Sequence, residues 1–141
     1  MINTFKVIVS GFVFNAKSEL LVIRRSMDEE TFPGMLAIPG GTVEVEEMSG
    51  LQNDTIENEL IREIKEETDI DVTVGKWLES SVIAKDSAKL YLFFECQTSG
   101  NEQPKVSDET PEVFWQLPSQ ISLDECTPSL KQYVAQAKES K

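Results

Sequence analysis

The stretch that decides the fold is Gly40–Gly41 together with residues 60–68, which read Leu-Ile-Arg-Glu-Ile-Lys-Glu-Glu-Thr. Three glutamates, Glu63, Glu66 and Glu67, fall at positions i, i+3 and i+4, so on a helix they project from one side. Like charges at this spacing repel each other, and a solvated helix gains nothing from massing them. A divalent cation reverses the sign of that energy, because hard oxygen atoms are the ligands that Mg²⁺ takes. The pattern therefore predicts a helix that carries a metal site.

The periodicity of this helix indicates which glutamate faces the core. At about 100° per residue, an apolar arc is formed by Ile56, Leu60, Ile61 and Ile64. Glu67 projects between Ile56 and Leu60, and a carboxylate on the core-facing side is costly unless a partner satisfies it. A charged face exposed to solvent is the ordinary explanation of an acidic run, but the position of Glu67 argues against it here.

Length and composition narrow the class of protein. A chain of 141 residues with 40% hydrophobic residues is expected to form one domain, residues 1–141, with a substantial core. The net charge of −12 disfavours partners such as nucleic acid or an anionic membrane surface. The absence of histidine excludes His-based triads and zinc-protease motifs. Because no apolar run reaches membrane-spanning length and the start lacks a signal-peptide pattern, we expect a cytoplasmic location.

Segments rich in β-branched and aromatic residues predict the strands of a sheet. Strands or strand segments are expected at 5–14, 20–25, 42–45, 70–74, 78–84, 89–96 and 112–117. The first two of these segments are joined by a short turn and are expected to form a hairpin.

Two helices are expected, one between these strands and one after the last of them. Residues 54–57 have the spacing of a capping box, which predicts a helix that begins after Asp54 and runs to about Thr68. Asp69 then takes the left-handed position that ends it. A second amphipathic helix is expected over 128–138. Strands alternating with two separate helices predict an α/β fold, with a mixed sheet between the helices.

With these residues in place, the chain resembles a Nudix hydrolase. The box of that family reads G-x5-E-x7-R-E-apolar-x-E-E-x-G-apolar. Residues 62–70 match its second half, except that Asp69 stands where the family has glycine, and Gly41 with Glu47 matches its first half. The segment 33–41 is similar to the proline- and glycine-rich approach to the box. The resemblance covers nearly the whole chain and implies the Nudix fold.

One departure from the family pattern concerns the loop ahead of the helix. Fourteen residues separate Glu47 from Arg62, where the family has seven. Either seven residues are inserted after Glu47, or Asp54 replaces the first acid of the box and the insertion precedes it; the capping box favours the second alignment. In the family this acid ties the loop to the helix arginine, so pairing of Arg62 with Asp54, Glu47 or Glu44 stays open.

The resemblance implies hydrolysis of a nucleoside diphosphate linked to a further group, with Mg²⁺ or Mn²⁺ as cofactor. It implies that the cation is held by Glu63, Glu66, Glu67 and the carbonyl of Gly40. Such a cation binds phosphate oxygens and lowers the pKa of an attacking water. The role of Arg62 is expected to be orientation of the box.

The remaining site residues follow from the same resemblance. The general base is Glu66 or a glutamate before Trp115, for which Glu109 is preferred over Glu112. Substrate contacts are expected at Arg25 and Gly41, although Arg25 also suits an ordinary strand end. The aromatic residues, Trp115 among them, are expected in the core.

The substrate class is reached by elimination. Branch signatures for ADP-ribose, diadenosine polyphosphates, coenzyme A and NADH are absent, so a small-molecule substrate that is a (d)NTP or related nucleotide is expected, with an unassigned branch of the family as the other option. The alternative is a Nudix-fold nucleotide-binding or regulatory module without catalysis. A homodimer is common in the family, although no stretch of this sequence identifies its interface.

Overall fold

A seven-stranded sheet is the central feature of the structure, a computed structural model that describes residues 1–45, 50–98, 100 and 102–139. The strands are β1 Lys6–Phe14, β2 Leu20–Arg24, β3 Leu36–Ala37, β4 Gly40–Thr42, β5 Thr73–Ala84, β6 Ala88–Gln97 and β7 Glu112–Gln116. The helices are α1 Thr55–Thr68 and α2 Pro128–Glu139, and short 3₁₀ turns occupy Pro118–Gln120 and Leu123–Glu125.

The sheet is mixed, as the sequence predicts. Its strands follow the order β3-β2-β1-β6-β5, and β1 runs parallel to β6 along its whole length, from Lys6 opposite Lys89 to Phe14 opposite Gln97. The other pairings are antiparallel, including the expected β1–β2 hairpin, and β7 pairs with β2. Because β4 pairs with β1 where Gly40 faces Ser10, the glycine pair lies beside the centre of the sheet.

Each face of the sheet supports its own core. Alternation along β1 directs Val9 and Val13 to one face, where they pack with Leu60 and Ile64 of α1. Phe12 points to the opposite face and packs with Leu130 of α2. The sheet therefore lies between two helices, which confirms the predicted α/β fold.

Helix α1 begins after Asp54 and ends at Thr68, both as predicted, but the capping contact expected of the Asp54 side chain is not formed. Asp69 has φ 61°, in the left-handed region, and its N–H donates to the carbonyl of Lys65. The predicted cap at Asp54 is wrong, because Asp54 also has a left-handed φ of 56° and its side chain caps nothing. A capping side chain needs an extended backbone at that residue to reach the first free N–H groups of the helix.

Two strand boundaries also differ from the prediction. The segments at 70–74 and 78–84 belong to one strand, β5, because two register shifts absorb residues around Gly75 and Leu78 without interrupting its pairing with β6. The strand expected at 42–45 is β4, Gly40–Thr42, because its pairing with β1 starts at the glycines. Within the described residues, no helix has the length and apolar character needed to cross a membrane.

Candidate active site

A cavity of about 1000 Å³ lies where β1, β5 and β6 meet the first turn of α2, the loop 26–32 and the acidic helix α1. Gly40, Gly41, Glu63 and Glu67 all line it. Of the described lining residues, only Lys6, Arg25 and Lys89 are basic, and they are outnumbered by acidic ones. An anionic substrate therefore needs additional positive charge to enter.

Glu67 is held against the glycine turn. Its Oε1 accepts a hydrogen bond of 2.9 Å from the Gly40 N–H. Burial raises the pKa of this carboxyl group to about 8, and the charges of Glu63 and Glu109 add to the rise. The Gly40 hydrogen bond and the charge of Arg25 act in the opposite direction. Glu67 thus faces the cavity in a setting that penalises its negative charge.

Glu63 approaches the second glycine of the turn. A Cβ atom added to Gly41 would lie 2.3 Å from the Glu63 carboxyl carbon, so only glycine leaves room for this side chain. The side chain of Glu63 is 19% exposed, and burial raises its pKa, opposed by Arg62 and assisted by Glu66. Two carboxylates one helical turn apart therefore line the cavity beside Gly40–Gly41, both with a raised pKa.

Glu66 is placed differently from the other two box glutamates. Its side chain is 59% exposed, its Oε1 accepts a 2.6 Å hydrogen bond from Arg62 Nη1, and it does not line the cavity. At about 100° per residue, Glu67 lies roughly 40° to one side of Glu63 and Glu66 roughly 60° to the other. The structure thus brings Glu63 and Glu67 into the cavity and leaves Glu66 with the arginine.

Arg62 pairs mainly with a residue that the sequence analysis did not consider. Its Nε and Nη2 atoms donate to the two carboxylate oxygens of Glu59 at 2.7 and 2.8 Å. Of the loop partners that the sequence left open, the described residues show no contact of Arg62 with Asp54 or Glu44, because helix partners at i−3 and i+4, Glu59 and Glu66, occupy the guanidinium. The i,i+4 pair with Glu66 is the one that helical spacing makes available. The third expected partner, Glu47, lies outside the described residues. The i,i+3 spacing of Glu59 and Arg62 on the helix is the sequence signal from which this pair could be predicted.

Arg25 reaches the cavity wall. Its Nε donates to the Thr31 carbonyl at 2.9 Å, and its Nη2 pairs with Glu29 at 3.0 Å. Lys89 Nζ donates to the hydroxyl of the same threonine at 2.9 Å. Two positively charged side chains are therefore anchored to one loop at the cavity. The charge of Arg25 lowers the pKa of Glu67.

Of the two glutamates ahead of Trp115, only Glu109 lines the cavity. Its charge contributes to the raised pKa of Glu67. Glu112 instead accepts a 2.8 Å hydrogen bond from Arg24 Nε on the other side of β2. Trp115 packs on the core beneath α1, as expected.

The aromatic residues of β6 divide between core and cavity. Phe93 is 2% exposed and belongs to the core, as predicted. Tyr91 stacks on it, with ring centroids 6.1 Å apart and planes inclined by 8°, and its other side lines the cavity. Within the described part of the chain, the Tyr91 hydroxyl has no hydrogen-bond partner. The expectation of a purely structural Tyr91 is therefore incomplete.

The donor set at Gly40–Gly41 suits a hard divalent cation. Searched over residues 1–45, 50–98, 100 and 102–139, the structure contains no group of three or more His, Cys, Asp or Glu side chains arranged to hold a metal unaided. Mg²⁺, however, is usually bound by one or two carboxylates together with water and substrate phosphates. Glu63 and Glu67 supply two such carboxylates, and their mutual repulsion is what a cation relieves.

Comparison with known proteins places this geometry in a family. The sequence profile of the NUDIX domain matches residues 4–137. The chain is similar in structure to the MutT protein from Methanosarcina mazei Go1, at 19% identity and a TM-score of 0.73, covering 99% of this chain and 97% of that one. It is similar to a NUDIX hydrolase from Alicyclobacillus acidocaldarius, at 13% identity and a TM-score of 0.77, covering 97% and 92%.

A third similar structure is the NUDIX domain of Shewanella oneidensis NrtR in complex with ADP ribose, at 16% identity and a TM-score of 0.69, covering 99% and 90%. A comparison with curated protein sequences produced no match. The profile match spans nearly the whole chain, so the chain belongs to the NUDIX family. Its enzyme class is that of the Nudix-type pyrophosphohydrolases.

Proposed function

We propose that this protein hydrolyses the pyrophosphate linkage of a nucleotide of the (d)NTP type, in a reaction that depends on Mg²⁺ or Mn²⁺. The observation that carries the proposal is Glu67, a carboxylate with a pKa near 8 that is fixed by the Gly40 N–H beside Glu63. Ionising Glu67 at neutral pH is costly without a positive partner. A bound divalent ion provides that partner.

The residues of the cavity divide the chemical work. Glu63 and Glu67 would hold the cation, with the Gly40 carbonyl as a further ligand. Glu66, the third carboxylate expected in the set, lies outside the cavity and would have to leave Arg62 to join it. When bound, the cation neutralises phosphate charge and lowers the pKa of the attacking water. Arg62 orients the helix glutamates.

We assign the general base to Glu109, because it lines the cavity close enough to Glu67 to affect its pKa. Glu66 is the second candidate for this role, although its carboxylate is occupied by Arg62. The base takes a proton from water as the oxygen of that water attacks phosphorus. The bond to the bridging oxygen then breaks, and the leaving phosphate keeps the electron pair.

A nucleotide suits the side chains that line the cavity. The charge of Arg25 lowers the pKa of both Glu67 and Tyr91, so the guanidinium lies near both side chains. The cavity thus contains carboxylates, a guanidinium and a partly exposed tyrosine ring. This set of groups suits a metal-bound phosphate, a second phosphate and a base, with Arg25 as the phosphate contact and Gly41 allowing close approach of the backbone.

The decisive experiment is a release assay for phosphate and pyrophosphate over a panel of nucleotides that includes (d)NTPs, UDP-sugars and ADP-ribose, with Mg²⁺, Mn²⁺ or EDTA. We expect metal-dependent turnover of at least one nucleotide, reduced at least about a hundredfold by Glu63→Gln or Glu67→Gln. Glu57→Gln is the matched control, because Glu57 lies on the same helix outside the cavity and the described residues offer it no hydrogen bond or ion pair.

The outcomes of this assay separate catalysis from binding alone. Nucleotide binding without turnover, unaffected by Glu67→Gln, contradicts the enzymatic proposal and favours a binding module. Preferred cleavage of ADP-ribose, the ligand present in the NrtR structure, corrects the substrate while retaining the chemistry. The expected homodimer and cytoplasmic location stay predictions from the sequence.

A further inference from the structure

We propose that Glu59 is a positioning residue for the metal site: its two-pronged contact anchors the guanidinium of Arg62 and limits how strongly that guanidinium is drawn onto Glu63, the carboxylate that lines the cavity beside Glu67. This inference rests on the proposed metal-dependent function. It assigns to Glu59, within the helix, the role that the family pattern gives to an acid of the preceding loop.

The first observation is the geometry of the pair. Arg62 Nε and Nη2 engage the two oxygens of Glu59 at 2.7 and 2.8 Å, whereas Glu63 and Glu66 each accept one bond, at 3.0 and 2.6 Å. A two-pronged contact fixes both the position and the plane of a guanidinium, which a single hydrogen bond does not. Glu59 is therefore the residue that determines where the arginine lies.

The second observation is the setting of Glu59. Its side chain is 12% exposed, against 59% for Glu66, so its contact with Arg62 is the less screened of the two. Glu59 Oε2 also accepts the backbone N–H of Glu44 at 3.3 Å. Glu59 thus joins the helix arginine to the segment that follows β4, the strand that carries Gly40 and Gly41.

The third observation concerns Asp54, one of the three acids left open by the sequence as partners of Arg62. Asp54 adopts a left-handed conformation just before α1 and its side chain makes no capping bond. The described residues give Arg62 no contact with Asp54. Among the described residues, Glu59 rather than Asp54 is thus the acid that anchors Arg62.

Loss of Glu59 has a specific consequence for cation binding. An amide at this position removes one acceptor and turns N–H donors towards the guanidinium. Arg62 is then drawn closer to Glu63, which it already contacts at 3.0 Å, and competes with the cation for the oxygens of that cavity carboxylate. Partners that orient metal ligands typically change metal affinity by about ten- to a hundredfold.

The test measures Mn²⁺ affinity by titration calorimetry on the full chain, without nucleotide, at fixed pH and ionic strength. We expect Glu59→Gln to weaken Mn²⁺ binding about tenfold. Glu59→Asp keeps the charge but is one methylene shorter, so we expect it to weaken binding as well. Glu57→Gln removes the same charge from the same helix without breaking a contact, and Asp54→Asn removes the rival anchor. Both are expected to change the affinity less than about twofold.

Measuring Glu59→Gln in an Arg62→Gln background separates the positioning role of Glu59 from the direct effect of its charge on Mn²⁺ affinity. Without the guanidinium there is no competitor to hold back, so adding Glu59→Gln is expected to change Mn²⁺ affinity less than about twofold. Equal effects of Glu59→Gln and Glu57→Gln, or an undiminished effect in the Arg62→Gln background, overturn the inference while leaving the proposed function intact. A wild-type protein that binds no Mn²⁺ overturns both. Thermal unfolding of each variant identifies any loss of Mn²⁺ affinity that comes from misfolding. If Glu59→Gln does not fold, the Mn²⁺ affinity of Glu59→Asp decides the test.

Discussion

Replacing Glu67 by glutamine is expected to stabilise the metal-free protein at alkaline pH while removing its activity. In the folded chain the pKa of Glu67 is raised from 4.5 to about 8, chiefly by burial. The folded state therefore keeps this proton to higher pH than the unfolded state does. Stability that is fully present below about pH 4.5 is lost as pH rises through about 8. Glutamine carries no such proton, yet its side-chain oxygen can still accept the Gly40 N–H.

The size of the effect follows from that shift. The pKa of Glu67 rises from 4.5 to about 8, and each pH unit corresponds to about 1.36 kcal/mol. The ionised carboxylate therefore destabilises the folded wild type above pH 8 by at most roughly 5 kcal/mol. Relaxation around the ionised carboxylate reduces this figure, and we expect at least about 1.5 kcal/mol to be measurable. The stability difference between Glu67→Gln and wild type is expected to grow between pH 5 and pH 8 and to level off by pH 9.

Urea unfolding in EDTA at unit intervals from pH 5 to pH 9 measures this difference. Glu57→Gln serves as the control for loss of one negative charge. Saturating Mg²⁺ at pH 8 is expected to stabilise wild type and to have little effect on Glu67→Gln, because a ligand stabilises only the state that binds it. A difference that stays constant or shrinks as pH rises refutes the assigned environment of Glu67.

Three further substitutions test how the site is built. In Gly41→Ala the new Cβ meets the Glu63 carboxyl group at 2.3 Å, a flexible side-chain end. We therefore expect turnover to fall roughly a hundredfold while the unfolding free energy changes by less than about 1 kcal/mol. In Gly40→Ala the Cβ meets the backbone carbonyl of Val9 at 2.2 Å, so urea unfolding should show a loss of about 2 kcal/mol or more. Ile64→Ala empties a fully buried position under the helix and is expected to cost about 2–5 kcal/mol in the same assay.

Much of the fold follows from local patterns in the sequence. Leu60 and Ile64 recur at helical spacing and are fully buried, and Asp69 ends the helix in the left-handed conformation expected of it. Strand ends that depend on pairing with a strand distant in the sequence could not be predicted from local patterns. The start of β4 depends on which residue of β1 faces Gly40, and β5 continues past Gly75 because β6 accommodates its bulges.

The site was predictable in part for the same reason. Helical spacing and the neighbouring glycines directed attention to Glu63 and Glu67, which the structure brings to the cavity. The direction of Glu66 depends on competition between solvent, a cation and Arg62 for one carboxylate, which the order of residues does not decide. The family pattern places an acid partner of Arg62 in the preceding loop and therefore does not predict the pair with Glu59.

The central claim is that Glu63 and Glu67 hold a divalent ion that also contacts a diphosphate. Anomalous diffraction at the manganese edge, from crystals grown with Mn²⁺ and a non-hydrolysable nucleotide, tests it most directly. We predict an anomalous peak about 2.1 Å from oxygens of Glu63 and Glu67 and equally close to a phosphate oxygen. A nucleotide bound in the cavity with no manganese at these two carboxylates contradicts the claim.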